Sequence, residues 1–217
     1  MTGRRLDAVL FDLHGVVTSS PWAALAEVGT AGGVDADTVL RLMLGDYAED
    51  GDHPWHRLER GEIPLDEYGR SLVAAATEAG IALDFSRLRG FNDRVLVNDR
   101  VVARARSLRQ DGYRTALVTN NVRELAGGWR ALVPADELFD VVVDSSDVGV
   151  RKPNPAIFLL ALERLGGIEP GRAVFLDDAP GNVEGARRAG LHAILVDDAD
   201  VALAELDRLL EAAPSEQ

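Results

Sequence analysis

The sequence predicts an α/β fold: a doubly wound parallel sheet with helices on both faces and an all-helical insertion. Three observations lead there. From residue 98 onward, short apolar runs alternate with helical patterns, the order that builds parallel sheets. The runs are apolar at nearly every position, as expected of strands buried on both faces. The first run is followed by a long stretch with helix signals and no convincing strand.

Taken in order, LDAVLF (6–11) reads as a buried strand that ends in Asp12 and a His14-Gly15 turn. Residues 21–28 are rich in alanine and leucine. Asp35 can cap a helix over 36–44, and Pro64 and Gly80 bracket another over 64–79. Beyond Asn98 the expected elements are helix 99–110, strand 115–119, helix 122–132, strand 141–143 and helix 155–165. Strand 174–176, helix 181–189, strand 193–196 and a last helix 199–212 follow, with a frayed tail over 214–217. The expected division is a core of residues 1–17 and 98–217 and a helical cap of 18–97.

The chain has 217 residues, of which 47% are hydrophobic, enough to bury a core without disulfides or structural metals. There is no cysteine, which excludes disulfide scaffolds, thiolate metal sites and thiol nucleophiles. The net charge of −13, with no local basic patch, argues against nucleic acid or anionic membrane as partners. No leader or spanning run is present, so a soluble cytoplasmic protein is expected. Of the 23 basic residues only Lys152 is a lysine.

In an open parallel sheet, ligands bind beyond the carboxyl ends of the strands. Polar groups stand at four such ends: Asp12, Thr119-Asn120-Asn121, the loop 144–152, and Asp177-Asp178. Singly, each reads as a cap or turn residue. The adjacent acidic pair is different, because neighbouring carboxylates at a buried strand end require a compensating cation or hydrogen-bond donors. Hard oxygen ligands of this kind suit Mg²⁺, and Asp12 from a neighbouring strand could complete the site. A carboxylate nucleophile, a hydroxyl, an ammonium and a metal are the parts needed for phosphoryl transfer.

Four segments, FDLHGVVT, ALVTNN, SSDVGVRKPNPAIF and FLDDAPGNVEGARRAG, resemble in order the four motifs of the haloacid dehalogenase superfamily, whose core is Rossmann-like. HRLERGEIPLDEY is similar to the helical cap of the subgroup that includes the amino-terminal phosphatase domain of soluble epoxide hydrolase. The resemblance implies a Mg²⁺-dependent hydrolase of small phosphorylated metabolites working through an aspartyl-phosphate. It makes Asp12 the nucleophile and a metal ligand, and the His14 carbonyl a second ligand. Asp178 would bind the metal directly and Asp177 through water. Thr119, the Asn120 amide and Lys152 would hold the phosphate. Asn182 would support the loop around Lys152 or the metal, with capping of the helix that follows as the structural alternative, and Gly15 would allow the tight turn.

Position 14 departs from the pattern. Phosphatases of the family carry a second Asp there, which protonates the leaving oxygen and later activates water, a role contributing roughly 10²–10⁴-fold. His14 could take over that shuttle and favour mildly acidic pH. The protein could instead use leaving groups that need no acid, or bind phosphorylated ligands with impaired hydrolysis. Metal-free haloacid-type dehalogenation also dispenses with this Asp, but leaves Asp177-Asp178 without a purpose. In the cap, His56 is a candidate substrate contact, while His53 reads as a surface residue.

Overall fold

The computed structural model describes residues 5–30, 33–88 and 94–211; the expected frayed tail and the end of the last helix lie outside them. Five parallel strands form one sheet: β1 (Ala8–Phe11), β2 (Arg114–Thr119), β3 (Val141–Asp144), β4 (Ala173–Asp177) and β5 (His192–Leu195), in the order β3-β2-β1-β4-β5. The order reverses direction at β1, so the carboxyl end of β1 lies at the crevice between the β2 and β4 crossovers.

Strand side chains alternate between two cores. Val9 and Phe11 join Leu108, Leu117 and Trp129 on one face, while Ala8 and Leu10 join Val118, Phe158 and Phe175 on the other. Helix α5 (Asp99–Gln110) and the carboxyl-terminal α11 (Ala199–Glu211) cover the first face, tied by Arg104 to Asp207 at 2.6 Å. Helices α9 (Pro155–Arg164) and α10 (Pro180–Arg188) cover the second.

Between β1 and α5 run α1 (Trp22–Thr30), α2 (Ala36–Leu44), α3 (Pro54–Glu59) and α4 (Leu65–Glu78), followed by a 3₁₀ turn over Phe85–Leu88. Asp35 caps α2, accepting from the Thr38 amide at 2.9 Å, as its sequence position predicts. These helices bury their own cluster, including Val28, Val39, Met43, Leu58, Tyr68 and Leu72. The chain enters and leaves the insertion side by side: Ser19 N donates to Leu96 O at 2.8 Å and Asn98 N to Val17 O at 2.9 Å.

Three details differ from expectation. Helix 122–132 is a 3₁₀ turn (Arg123–Leu125) followed by α6 (Ala126–Leu132), because Val122 is extended and packs into the cluster of the inserted helices. Two four-residue helices, α7 (Ala135–Leu138) and α8 (Ser145–Val148), are too short to show periodicity. Helix α3 lies in the acidic stretch 49–62, to which the sequence reading assigns no element; it is started by Pro54 and capped by His53, whose Nδ1 accepts from the Trp55 amide at 3.2 Å.

Helix α10 packs directly on the loop that carries Lys152. A Cβ on Gly185 would lie 2.3 Å from the Pro153 carbonyl oxygen. Gly185→Ala should therefore destabilise, on the order of 1–2 kcal/mol, although alanine is the better helix former. The urea midpoint measures this, and a stabilised variant would contradict the packing.

Candidate active site

The strand ends converge as the topology requires. Asp12 follows β1, Asp177 ends β4, Asp178 comes next, and Lys152 arrives on the loop after α8. Lys152 Nζ lies 2.6 Å from Asp12 Oδ1 and 2.8 Å from Asp177 Oδ2, and its side chain is only 1% exposed. Burial opposes the ammonium, but the two carboxylates outweigh it and raise its pKa.

The remaining contacts hold this ion triad in place. Asp177 also accepts from the Ala179 amide at 2.8 Å and from Asn182 Nδ2 at 3.1 Å on both oxygens. Asn182 therefore fixes Asp177 and does not cap its own helix, which starts at Pro180 after Ala179 with no side-chain cap. Asn120 ties the β2 loop to Lys152: its Oδ1 accepts from the Lys152 amide at 2.8 Å and its Nδ2 donates to the Lys152 carbonyl at 3.0 Å. Gly15 is required sterically, at φ 89°, since a Cβ there would fall 2.0 Å from Asp178 Oδ2.

One carboxylate oxygen from each of Asp12, Asp177 and Asp178 lies within 4.8 Å of the others. Burial, only partly offset by Lys152, pushes Asp12 up to about 6 and Asp177 up to about 7, with the charge of Asp178 adding to the rise at Asp12 and that of Asp12 to the rise at Asp177. Asp178 is raised too, first by burial and then by Asp177. One ammonium among three carboxylates leaves excess negative charge, and an all-oxygen donor set of this kind fits a hard divalent cation. Asp12 and Asp178 both line the cavity, where Trp22 Nε1 donates to Asp178 Oδ2 at 3.2 Å. Asp177 is walled in by its hydrogen-bond partners.

His14 lines the same cavity. Its Nδ1 is 3.0 Å from Thr18 Oγ1, which itself donates to the Leu13 carbonyl at 3.2 Å. Burial, and then Lys152, pushes the imidazole down to about 4. Thr119 ends β2 fully buried, its hydroxyl 3.3 Å from the Asn120 carbonyl, beneath the residues that line the cavity. His56 is not a cavity residue. It is buried within the inserted helices, where its Nδ1 accepts from the Gly51 amide at 3.0 Å, so the expected substrate contact is corrected to a loop-holding one.

Residues not anticipated from the sequence complete the site. The cavity holds about 530 Å³ between the strand ends and the inserted helices, with Trp22, Leu25, Tyr47, Trp55 and Glu59 on the helical side. Arg151, next to Lys152 and fully buried, points the opposite way: Nε donates to Glu59 Oε2 at 2.7 Å and Nη1 to the Glu49 carbonyl at 3.0 Å. Tyr47 donates to the other Glu59 oxygen at 3.2 Å. The adjacency of Arg151 to Lys152 is the only sequence signal for this pair.

A Rossmann-like sheet with three carboxylates and one buried lysine at its switch point defines a class of phosphatase-type hydrolases. A family model for haloacid dehalogenase-like hydrolases matches residues 6–190, and the chain belongs to that family. It is 36% identical to acyl-CoA dehydrogenase family member 10 of Mus musculus over 96% of this chain, and 31% identical to bifunctional epoxide hydrolase 2 of Sus scrofa over 94%. The chain spans only 19% and 39% of those two relatives. It is 32% identical to glyceraldehyde 3-phosphate phosphatase of Methanopyrus kandleri over 86% of this chain and 82% of that one. The fold recurs in a HAD-like family hydrolase from Porphyromonas gingivalis (TM-score 0.66, 24% identity, 96% and 99% covered). It also recurs in a magnesium complex of a HAD family enzyme from Bacteroides thetaiotaomicron (TM-score 0.60, 18% identity, 94% and 99% covered). Among the described residues no helix is long and apolar enough to cross a membrane.

Two outcomes follow from the buried charges. Arg151→Met leaves Glu59 charged and unpaired and should cost about 3–5 kcal/mol, much of it recovered by adding Glu59→Leu. Chemical denaturation of the single and double variants measures this, and an additive double variant would refute the pairing. The second concerns pH. The folded pKa values of Asp12 and Asp177 are raised, so between the ordinary carboxylate value and about 7 the folded protein keeps protons the unfolded chain has lost. Without divalent ions, this contribution to stability is complete at low pH and disappears as pH rises through that window. Thermal melts in chelator across the range should show it, and a contribution growing with pH would contradict it.

Proposed function

We propose that this protein is a Mg²⁺-dependent phosphatase of small phosphorylated metabolites that forms an aspartyl-phosphate on Asp12. The observation that carries the reading is the seat of Lys152 between Asp12 and Asp177 at the carboxyl ends of β1 and β4. That seat puts a nucleophilic oxygen beside the ammonium that would neutralise a phosphoryl oxygen. Asp12, the carbonyl of His14 and Asp178 would hold the metal, with Asp177 acting through water. The ion supplies charge neutralisation to the phosphoryl group when bound.

This chain's residues divide the remaining work. Asp12 attacks phosphorus, and the Asp12 carboxylate is later released by water. Lys152, Thr119 and the Asn120 amide bind phosphate oxygens. Asn182 and Asp177 keep Lys152 aimed at Asp12, and Gly15 lets the β1 loop pass against Asp178. The core of residues 1–17 and 98–217 supplies this machinery, and the inserted helices of 18–97 act as a cap that closes the leaving-group side.

A second reading is a protein that binds phosphorylated ligands and hydrolyses them slowly. His14 favours it: an imidazole held down to about 4 is neutral at neutral pH and has no ready proton for a leaving oxygen. The metal-free dehalogenase reading is weakened by the three converging carboxylates, which need a cation and not its absence.

The deciding experiment is phosphate release from a panel of esters by the natural protein and Asp12→Asn, together with thermal shift against Mg²⁺. The expected result is hydrolysis lost in Asp12→Asn by at least about 10³-fold, and a melting temperature of the natural protein that rises with Mg²⁺. Unreduced turnover by Asp12→Asn, or full activity in chelator, would overturn the reading.

A further inference from the structure

We propose that Arg151 and Glu59 are positioning residues for phosphoryl transfer: by anchoring the Lys152 loop in the inserted helices they set the aim of the Lys152 ammonium, so that the grip on phosphate depends on those helices. The inference rests on the phosphatase reading and adds what keeps its phosphate-binding lysine in register.

The geometry comes first. Arg151 and Lys152 are consecutive and buried, and their side chains run to opposite partners, so whatever fixes Arg151 also fixes the peptide from which Lys152 departs. Glu59 receives Arg151 Nε at 2.7 Å and is itself held at both ends. The Tyr47 hydroxyl donates to its Oε1 at 3.2 Å, and Ser145 Oγ donates to its backbone carbonyl at 2.6 Å. The same Ser145 oxygen accepts from the Asn121 amide at 3.0 Å, which closes the linkage on the β2 loop. A Cβ on Gly61, just past α3, would fall 2.5 Å from the Ser146 carbonyl oxygen, a measure of how tightly α3 is seated. Asn120 holds the Lys152 backbone at one edge, and Arg151 supplies a second fixed point, so the loop cannot pivot about the first.

Stability does not account for this pair. Apolar residues of similar volume commonly match or better a buried ion pair. Arg151 carries a further cost, because its Nη2 is buried without a partner. What charged hydrogen bonds from a planar guanidinium supply, and packing does not, is direction. Lys152 needs direction, since its Nζ must stay between Asp12 at 2.6 Å and Asp177 at 2.8 Å while facing the phosphate. A misplacement of about 1 Å at such a point can cost roughly 10²-fold in rate.

The test uses the fact that Lys152 is the chain's single lysine, so lysine isotopically labelled at Cε and Nζ gives one NMR signal that reports the ammonium directly. That signal is compared in the natural protein, Glu59→Gln and the double variant Arg151→Met with Glu59→Leu. Alongside it, inorganic phosphate is titrated as an inhibitor of p-nitrophenyl phosphate turnover with Mg²⁺. Inorganic phosphate has no leaving group to reach the wall of inserted helices, so its inhibition isolates the phosphate end. The double variant should keep most of the natural urea midpoint, yet show a displaced Lys152 signal and phosphate inhibition weakened by about tenfold or more, with kcat falling alongside. Glu59→Gln, which keeps the shape and an acceptor for Arg151, should fall between the two. Val39→Ala, at a buried position of α2, should lower the urea midpoint and leave both the signal and the phosphate inhibition unchanged. An unmoved Lys152 signal with unweakened phosphate inhibition in the double variant overturns the inference, as does the same result in Glu59→Gln if the double variant does not fold. Turnover undiminished in Asp12→Asn would instead sink the phosphatase reading, and the Lys152 signal would still decide the positioning.

Discussion

One buried ammonium organises this molecule. Lys152 joins the ends of β1 and β4 through Asp12 and Asp177, and its own backbone is held from the end of β2 by Asn120. Taking a lysine and two carboxylates out of water is costly, and their attraction offsets the cost only when the remaining hydrogen-bonding positions are filled. Here they are: Asn182 and the Ala179 amide complete Asp177, and the Leu13 amide donates to Asp12 at 2.6 Å. Removing the lysine would leave three raised carboxyls facing one another, so the catalytic geometry and the packing of three loops stand or fall together.

Residues 151 and 152 work as a back-to-back pair. Lys152 reaches into the strand ends, and Arg151 reaches into the inserted helices, where Glu59 and the Glu49 carbonyl receive it. Arg151 also lies over the Tyr47 ring at 4.9 Å, and Tyr47 is 3.4 Å from Asn120 Nδ2. A shift of α3 relative to the sheet is thus transmitted to the loop that aims Lys152. Trp22 makes a second link from the inserted helices, to Asp178. Where the helices sit and how the carboxylates are held are one mechanical question.

What was legible in the sequence depended on how local its cause was. Asp35 as a cap, helix 99–110 to the residue, and the five apolar strands follow from chemistry within a few positions. The convergence of Asp12, Asp177 and Lys152 was also readable, because a parallel sheet brings its strand ends to one edge whatever the loops do. The Arg151–Glu59 pair was not: its members are 92 positions apart, on a loop and on a helix too short to have a period. His56 misled for a related reason, since a histidine near an expected cap looks like a contact until its ring is seen bound to the Gly51 amide. The direction of the His14 shift depends on how deeply the ring is buried, which spacing does not encode.

The net charge of −13 makes phosphate binding a local problem. Among the described residues lining the cavity, Lys152 is the one permanently cationic side chain, and two of its three N–H donors already serve Asp12 and Asp177. One remaining donor is too little to attract a dianion into a site that three carboxylates make repulsive. A divalent ion would act on both sides of that imbalance, relieving the carboxylates and adding charge toward the phosphate. Ion and phosphate would then bind with positive coupling, each raising the affinity of the other by the same factor. In so acidic a protein, that reciprocity would confine attraction for phosphate to the metal-loaded form.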